Sequence, residues 1–295
     1  MRGVFRDGRA QAGAALLLLA VLAAAFAPVI TTIGPTVQRD VVATRFLPPL
    51  SHDAHGVLHP LGTDRLGRDV WSRLAYGGRI SLSVGMLAVL ISTALGVAVG
   101  TVAGVWPAPI GSVLLAVTDF MLALPRVVLL LLLAALWQPS ALLVVLVLGV
   151  TGWMSVARLV HGEARAAVSR PYAESALALG ASRRRLLLRH VLPNALTPAI
   201  VAAALGFGNA ILMEAGLSFL GVGVQPPAPS WGSMIASGRD TLVNAPWVAA
   251  APGIALVLVV VASTLLGDAL HEALEPGREL EVRAGRTSAS GETPS

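Results

Sequence analysis

Six stretches of this chain are long and apolar enough to cross a lipid bilayer, and they constrain its fold more than any other feature. A helical span needs about 20 apolar residues to cross roughly 30 Å of hydrocarbon, where backbone N–H and C=O groups must pair within the protein. With 55% hydrophobic residues, the sequence predicts an all-α, polytopic membrane protein. The predicted spans are Ala14–Ile33, Ile80–Trp106, Ser112–Trp137, Ala141–Leu159, Leu196–Leu220 and Trp247–Leu270.

The first stretch has a second interpretation, because arginines precede it and an alanine-rich segment ends it, as in a cleaved signal peptide. Its apolar run is longer than the usual core of a signal peptide, which favours an uncleaved anchor. The predicted organisation is a cytoplasmic tail at 1–13, an anchor at 14–33, an external loop at 34–79, a membrane domain at 80–270 and a disordered cytoplasmic tail at 271–295. The membrane domain includes a long cytoplasmic loop at about 161–194.

The placement of arginines predicts the orientation of the spans. Residues 158–193 contain seven arginines and only two acidic residues, and the positive-inside rule assigns such a segment to the cytoplasm. Arg2, Arg6 and Arg9 place the N-terminal tail on the same side, and six spans return the C-terminus there. The net charge of +5 therefore reflects topology. The sequence has no aromatic-interleaved basic face, so it gives no indication of nucleic-acid binding.

The residue types that are missing limit the chemistry. The sequence has no cysteine and no lysine, and a P-loop requires a lysine after its glycine-rich turn. If ATP drives this protein, the hydrolysing subunit is a separate polypeptide. The sequence also lacks the GxSxG and HExxH motifs of common hydrolases. We therefore expect neither an enzyme nor a bound cofactor.

A basic segment, residues 170–194, lies between the fourth and fifth predicted spans and predicts two short helices with a tight break. Pro171 suits a first helical turn, because its missing N–H would be unpaired there. Gly180 can adopt the left-handed conformation that ends a helix, and Ser182 can cap the next one, which Pro193 then ends. A cytoplasmic helix–break–helix of this kind favours docking of a partner protein.

This segment resembles the EAA signature of permease subunits of ATP-binding-cassette (ABC) importers. Ser175 departs from the signature, and His190 stands where the general pattern has isoleucine, as it does in the peptide branch of the family. The resemblance implies that this segment couples the membrane domain to the ATPase subunits. The positions that match at the right spacing are Glu174, Ala176, Gly180, Leu192 and Pro193.

The exposed side of the first short helix is the expected contact for the ATPase. Tyr172, Ala176 and Leu179 are spaced to share one side of a helix. A small-residue, weakly apolar face flanked by arginines fits docking of a helix into a groove of a partner. The alternative is a solvated positive-inside loop without a partner.

The predicted external loop also resembles this family. Residues 59–82 are similar to the region before the membrane domain of dipeptide, oligopeptide and nickel permeases. Asp64/Arg68 and Asp69/Arg73 are four residues apart, which allows ion pairs on an external helix. The histidines of this loop also allow a nickel site, because imidazole suits nickel, but the Pro- and Gly-rich loop disfavours it and no metal site is predicted. Its ligands would come from His52, Asp53, His55 and His59.

A second loop, residues 214–247, is predicted to lie over the external mouth of the pathway. Its stretch LSFLGVGVQPPAPSWG is similar to a signature of the same branch. Three prolines favour a stiff, extended path. Trp231 and Trp247 are expected to anchor at the membrane interface.

Two sets of residues inside the spans are candidates for function. Ser92, Gly96, Gly100 and Gly104 recur every four residues, which favours close helix packing. Asp119 and Arg126 are seven residues apart on one predicted helix face, and Glu214 lies late in the fifth span. Ionisable residues in spans mark a pathway or an intramembrane pair, and both interpretations remain open for these three residues.

The resemblance covers residues 58–275 and implies the type I ABC importer permease fold in a bacterial inner membrane. The implied function is half of a translocation pathway for dipeptides or oligopeptides, with nickel or another small solute as an alternative cargo. The implied partners are ABC ATPase subunits, a second and different permease, and an external substrate-binding protein. The rival class is a proton-coupled secondary carrier, which the EAA match and the lack of a visible internal repeat disfavour.

Overall fold

The computed structural model describes residues 7–274, and five helical segments in this range are long and apolar enough to cross a membrane. A two-stranded antiparallel hairpin, β1 (Ser51–His52) and β2 (Leu58–His59), lies in the first long loop. The helices are α1 (Gly8–Ala25), α2 (Ala27–Ile30), α3 (Val41–Thr44), α4 (Val70–Val105), α5 (Ile110–Ala123), α6 (Arg126–Leu136), α7 (Ala141–Val168), α8 (Pro171–Ala178), α9 (Arg183–Leu186), α10 (Leu192–Phe219), α11 (Trp231–Gly238) and α12 (Trp247–Leu274).

The predicted third span is not one continuous helix. Its apolar stretch forms α5, of 14 residues, and α6, of 11 residues, each too short to cross the bilayer as a straight span. Leu124 is extended between them, with ψ at 133°, and Pro125 precedes α6. A proline disfavours helical geometry in the residue before it and has no N–H to continue the ladder, so the chain breaks at this point.

The spans also extend beyond their predicted ends. The helix α4 begins at Val70, ten residues before the predicted Ile80, so part of the predicted external loop is helical. Asp69 caps this helix and accepts a 2.7 Å hydrogen bond from the N–H of Ser72. At the other end of the bundle, α7 continues to Val168, past the predicted end of its span at Leu159.

The two helices α4 and α7 form the most extensive interface of the bundle, and small residues bring their backbones together. A Cβ added to Gly100 would stand 2.5 Å from the carbonyl oxygen of Ala157, and one added to Gly104 would stand 2.5 Å from the Cβ of Ala164. Gly96 faces Val156 in the same way, and Ser92 packs against Gly152. The four-residue ladder of α4 therefore lies along α7.

The first helix is packed into the bundle. Gly13 of α1 lies so close to α12 that an added Cβ would stand 2.8 Å from the carbonyl oxygen of Ala262. Ala10 is buried beside Ala269, and Ala24 joins the buried cluster that contains Trp231. Since α1 contacts both α4 and α12, it forms part of the same core as the later spans.

The loop between α1 and α4 folds around buried ion pairs, and the external helix that the four-residue spacing allows begins only at Val70. Asp64 does pair with Arg68, at 2.7 Å, but Asp69 binds the Nδ1 of His59 at 2.9 Å instead of Arg73. Gly62 and Gly67 have φ angles of +72° and +69°, which a helix does not contain. The carboxylates are consequently buried in a compact turn structure and do not line a solvated helix face.

Candidate functional site

The basic segment after α7 folds as the sequence predicts at its first turn and at its break. The helix α8 begins at Pro171, and Gly180 ends the turn after it with a φ of +84°. Ser182 caps α9 by accepting a 3.3 Å hydrogen bond from the N–H of Arg185. We call residues 171–186 the coupling segment.

The coupling segment is attached to the ends of α4 and α7. Ala173 and Leu186 are buried in a cluster with Val105, at the end of α4, and Ala164, near the end of α7. Arg183 adds a 2.8 Å hydrogen bond from Nη1 to the carbonyl oxygen of Val105. A displacement of the coupling segment would therefore act on both central helices. Local sequence patterns do not reveal these roles of Ala173 and Arg183, because the residues that they contact are distant in the sequence.

The opposite side of the coupling segment is exposed. Tyr172 is partly exposed, and its ring lies 5.7 Å from that of His190. Leu179 is 89% exposed but follows the end of α8, so it does not share a helix face with Tyr172 as predicted. The backbone of Glu174 and Ala176 lies in α8, whereas their side chains are outside the described part of the structure.

Pro193 does not end the second helix, contrary to the prediction. Residues 187–191 form a π-helical turn that leads directly into α10, and the N–H of Leu192 bonds to the carbonyl oxygen of Leu187, five residues back. The wider turn accommodates Pro193 near the first turn of α10, where its missing N–H costs little. Leu192 is half-buried and Pro193 exposed at this junction between the coupling segment and the membrane.

The intramembrane charges are arranged differently from the prediction. Asp119 of α5 forms an ion pair with Arg158 of α7, and both side chains are substantially exposed. Arg126 lies beyond the break at Pro125, so it does not share a helix face with Asp119. It lines a separate cavity of about 270 Å³ between α4, α6, α7 and α10. The Asp119–Arg158 pair could not be predicted from local spacing, because its members are 39 residues apart.

Glu214 lies on α10 and is fully buried at the base of the second loop. Its Oε1 accepts a 2.8 Å hydrogen bond from Ser218, and its Oε2 has no hydrogen-bond partner among the described residues. Its other polar neighbours are the hydroxyl groups of Ser81 and Ser230. Glu214 therefore lies where α10 faces α4 and the residue that precedes α11.

The two tryptophans of this loop lie inside the protein rather than at the membrane interface. Trp231 is buried; its backbone N–H donates to Ser81 Oγ at 3.2 Å and its Nε1 donates to the carbonyl oxygen of Leu74 at 3.0 Å. Trp247 is half-buried and donates from Nε1 to the carbonyl oxygen of Thr63. Because both indole N–H groups have protein partners, the prediction of interfacial anchors is wrong for Trp231 and unsupported for Trp247.

The structure brings the side chains of Asp53 and His59 to within 3.8 Å of each other, but it does not assemble the full set of residues considered for nickel. Asp53 caps a tight turn and accepts hydrogen bonds from the N–H groups of His55 and Val57. His59 is buried against Asp69, and His52 is exposed. Across residues 7–274, no three His, Cys, Asp or Glu side chains are grouped so that they could hold a metal ion.

Comparison with known proteins identifies this arrangement. A family model described as "Binding-protein-dependent transport system inner membrane component" matches residues 96–279, which is more than half of the chain. The chain belongs to this family. It is therefore a permease subunit of a transport system and not an enzyme, and it is a multi-pass protein of the inner membrane.

The permease has close relatives over most of its length. It is 39% identical to the di/tripeptide transport system permease protein DppC of Pseudomonas aeruginosa over 268 residues, which cover 90% of this chain and 88% of that protein. It is also 39% identical to the dipeptide transport system permease protein DppC of Escherichia coli, covering 92% of this chain and 90% of the relative. A putative peptide transport system permease protein of Brucella abortus is 38% identical, covering 95% and 92%.

Solved structures show the same fold. Inward-facing structures of the MetNI methionine ABC transporter superpose with a TM-score of 0.56 and 19% identity, covering 68% of this permease and 96% of that chain. This likeness confirms the predicted ABC importer permease fold. An importer of this class also comprises ATPase subunits and a substrate-binding protein, which accounts for the absence of a P-loop from this chain.

We expect the permease to tolerate Glu214→Gln and to be destabilised by Glu214→Leu. Glutamine keeps an acceptor for Ser218 and adds an N–H₂ donor for the neighbouring hydroxyl oxygens, whereas leucine leaves the buried hydroxyls without this partner. The expected loss for leucine is about 1–3 kcal/mol. Thermal unfolding of both variants in the same detergent tests this, and equal melting temperatures for the two would contradict the structural role of Glu214.

Proposed function

We propose that this permease forms half of the translocation pathway of an ATP-driven, binding-protein-dependent importer of dipeptides or oligopeptides. The observation that carries the proposal is its 38–39% identity, over 90% or more of the chain, to permeases named for di/tripeptide, dipeptide and peptide transport. The uncovered part is too short to leave out both the central helices α4 and α7 and the coupling segment between α7 and α10.

The coupling segment is the proposed docking site for the ATPase, with Tyr172, Glu174, Ala176 and Gly180 on it and Leu192 and Pro193 at its exit. Support comes from its two-sided construction: one side is buried against Val105 and Ala164, and the other is exposed. Closure of the ATPases would displace α8 and shift the ends of α4 and α7 together. The pathway would then alternate between outward- and inward-open states, as in other rigid-body transitions.

A second, related permease completes the pathway in this proposal, so that the membrane part is a heterodimer. By the positive-inside rule, a cytoplasmic location of the arginine-rich coupling segment supports cytoplasmic N- and C-termini for this chain. The loops at residues 31–69 and 217–230 then face outward and are the proposed contact for the substrate-binding protein. The tail after residue 274 lies outside the described residues.

The three intramembrane residues have different proposed roles. Asp119 acts in structural pairing, since Arg158 neutralises it. Glu214 holds the second loop, since its neighbours are serine hydroxyl groups. Arg126 is the pathway residue, since it faces a cavity. Ser92, Gly96, Gly100 and Gly104 are assigned to helix packing, since they lie against α7.

The proposed function is tested by purifying the tagged permease from detergent-solubilised membranes and identifying bound proteins by mass spectrometry. We expect a second permease and one or two ATPases that contain a P-loop. Vesicles reconstituted with this complex and its binding protein should take up labelled dipeptides only when ATP is present on the side of the membrane that carries the ATPases. Recovery of the permease alone, with uptake driven by a proton gradient, would overturn the proposal in favour of a secondary carrier.

A further inference from the structure

A polar cavity lies near the middle of the bundle, at the break in the third apolar stretch. It has a volume of about 270 Å³ and lies between α4, α6, α7 and α10. This volume is close to the lower end of the roughly 300–1,000 Å³ that is usual for small-molecule sites. Its polar lining comes from Ser92, Thr93, Arg126, Ser155 and Asn209.

Arg126 is the only charged residue among those that line this cavity, and it has no partner there. Its Nε is buried without a hydrogen-bond acceptor, and it forms no ion pair with any residue of the described range 7–274. The acidic residue nearest in sequence, Asp119, is paired with Arg158. Thr93, on the facing helix, also has a buried hydroxyl without a partner.

The break at Pro125 explains how this arginine reaches the cavity. Because α6 begins at Arg126, the side chain leaves the first turn of a new helix rather than the side of a continuous span. Its Nη2 lies 3.4 Å from the position that a Cβ on Gly152 would occupy, so the missing side chain of Gly152 leaves room for the guanidinium. Ser92 borders the same gap.

Burying an unpaired guanidinium in a membrane costs free energy, so such a group is typical of positions that have a function. Its planar set of donors matches a carboxylate, which it can bind through two parallel hydrogen bonds. The neighbouring hydroxyl groups and the amide of Asn209 can donate further hydrogen bonds to the same oxygens. The cavity is thus built for a small ligand that carries one carboxylate.

We infer that Arg126 binds the carboxylate of the cargo at a central site in the pathway, an inference that rests on the proposed function. A dipeptide brings one terminal carboxylate, and the site would hold it while the rest of the molecule occupies the cavity. The uncharged lining of α7 and α10 permits different side chains. Arg126 would then select for a free carboxylate without selecting among peptide sequences.

The test measures binding to the permease–ATPase complex in nanodiscs without the substrate-binding protein. The probes are labelled Ala-Ala and its C-terminal amide, which differ only at the carboxylate. We expect the wild-type complex to bind Ala-Ala at least about tenfold more tightly than the amide, because a site built for a charged partner rejects the neutral analogue. In Arg126→Met, the affinity for Ala-Ala should fall to that of the amide, and Arg126→Lys should retain part of the difference.

Arg158→Met is the matched control, because it removes another arginine of the helical bundle that is outside the cavity. It should leave the ratio of the two affinities unchanged. Equal affinities in the wild type, no saturable binding of either probe, or a ratio that survives Arg126→Met would each overturn the inference. The last result, combined with a lower yield of complex, would assign Arg126 to pairing with the second permease.

The inference and the proposed function fail in different ways. If the complex forms and imports dipeptides with its binding protein, while Ala-Ala and its amide bind with equal affinity in nanodiscs, only the role of Arg126 is wrong. If no ATPase is recovered, or if dipeptides are not imported, the proposed function itself is wrong.

Discussion

Gly180→Pro is expected to abolish uptake while leaving the permease in the membrane. Gly180 has a φ of +84°, whereas a proline ring fixes φ near −65°, so the turn between α8 and α9 cannot form with proline. The spans do not depend on this turn, and a Cβ at Gly180 would meet no atom within 4 Å. The variant should therefore insert and fold, but present α8 in a wrong direction to the ATPase.

The expected effect is a loss of at least about tenfold in the rate of ATP-dependent uptake. A misplaced docking helix loses its contacts with the ATPase, so ATP hydrolysis is no longer coupled to transport even if the permease stays folded. ATP hydrolysis by the complex should no longer respond to the loaded binding protein. Both quantities are measured in reconstituted vesicles that contain equal amounts of permease.

A graded series separates the turn conformation from other effects. Asparagine tolerates the left-handed region better than alanine, so uptake should decrease in the order Gly180→Asn, Gly180→Ala and Gly180→Pro. Gly162→Ala is the control, because Gly162 lies in the C-terminal part of α7 with open space around it and no positive φ. Glu174→Lys should also reduce coupling. Normal uptake by both Gly180→Pro and Glu174→Lys would refute the coupling role of this segment.

The local features of the coupling segment were predictable from the sequence because they depend on neighbouring residues only. A left-handed glycine after a short helix and a serine before the next one specify their own conformations. The contacts of Ala173, Leu186 and Arg183 were not predictable, since they join this segment to distant parts of α4 and α7; Arg183 and Val105 alone are 78 positions apart.

The two prolines show where local rules end. Pro125 and Pro193 both follow a leucine in an apolar context, yet the chain breaks before Pro125 and continues as a helix through Pro193. The difference arises from the π-helical turn at residues 187–191, which removes the hydrogen bond that Pro193 would otherwise interrupt. Whether such a turn forms depends on the residues that pack against it, and these contacts cannot be predicted from a single sequence.

The external loop gives a similar lesson for charged residues. The spacing of Asp64, Arg68, Asp69 and Arg73 is compatible with helical ion pairs, but the positive φ angles of Gly62 and Gly67 exclude a helix there. Asp69 caps α4 instead, and this role requires it to lie outside the helix. The four-residue spacing therefore indicated the Asp64–Arg68 pair correctly, although the pair lies in a turn and not on a helix. The Asp69–Arg73 pair does not form, because Asp69 pairs with His59.

Substitution of Gly100 is expected to have the largest effect on the stability of the bundle. Alanine normally stabilises a helix by about 1 kcal/mol relative to glycine, because glycine loses more conformational freedom on folding. At Gly100, however, the added methyl group would stand 2.5 Å from the carbonyl oxygen of Ala157 and 2.9 Å from the Cβ of Val160. These atoms belong to the backbone and a β-branched residue of α7, so neither can move aside without separating the helices.

Gly100→Ala should therefore destabilise the permease by about 1–3 kcal/mol, the usual cost of overpacking, despite its better helix propensity. Gly100→Leu should prevent recovery of folded permease, since the larger side chain has no space between α4 and α7. The measurement is thermal unfolding in detergent, together with the yield of monodisperse protein.

Gly216→Ala is the matched control on α10, because no atom lies within 4 Å of a Cβ at that position. It should be neutral or stabilising, so the same chemical change has opposite signs at the two sites. If Gly100→Ala is as stable as the wild type, α4 and α7 are not held at the distance that the structure gives.

The double variant Gly100→Ala/Val160→Ala identifies which atom causes the clash. If the loss of stability seen in Gly100→Ala disappears in the double variant, the clash is with the side chain of Val160. If the loss persists, the clash is with the backbone of Ala157. Since α4 and α7 also receive the coupling segment, the close approach at Gly100 would make them move as one unit when the ATPases close.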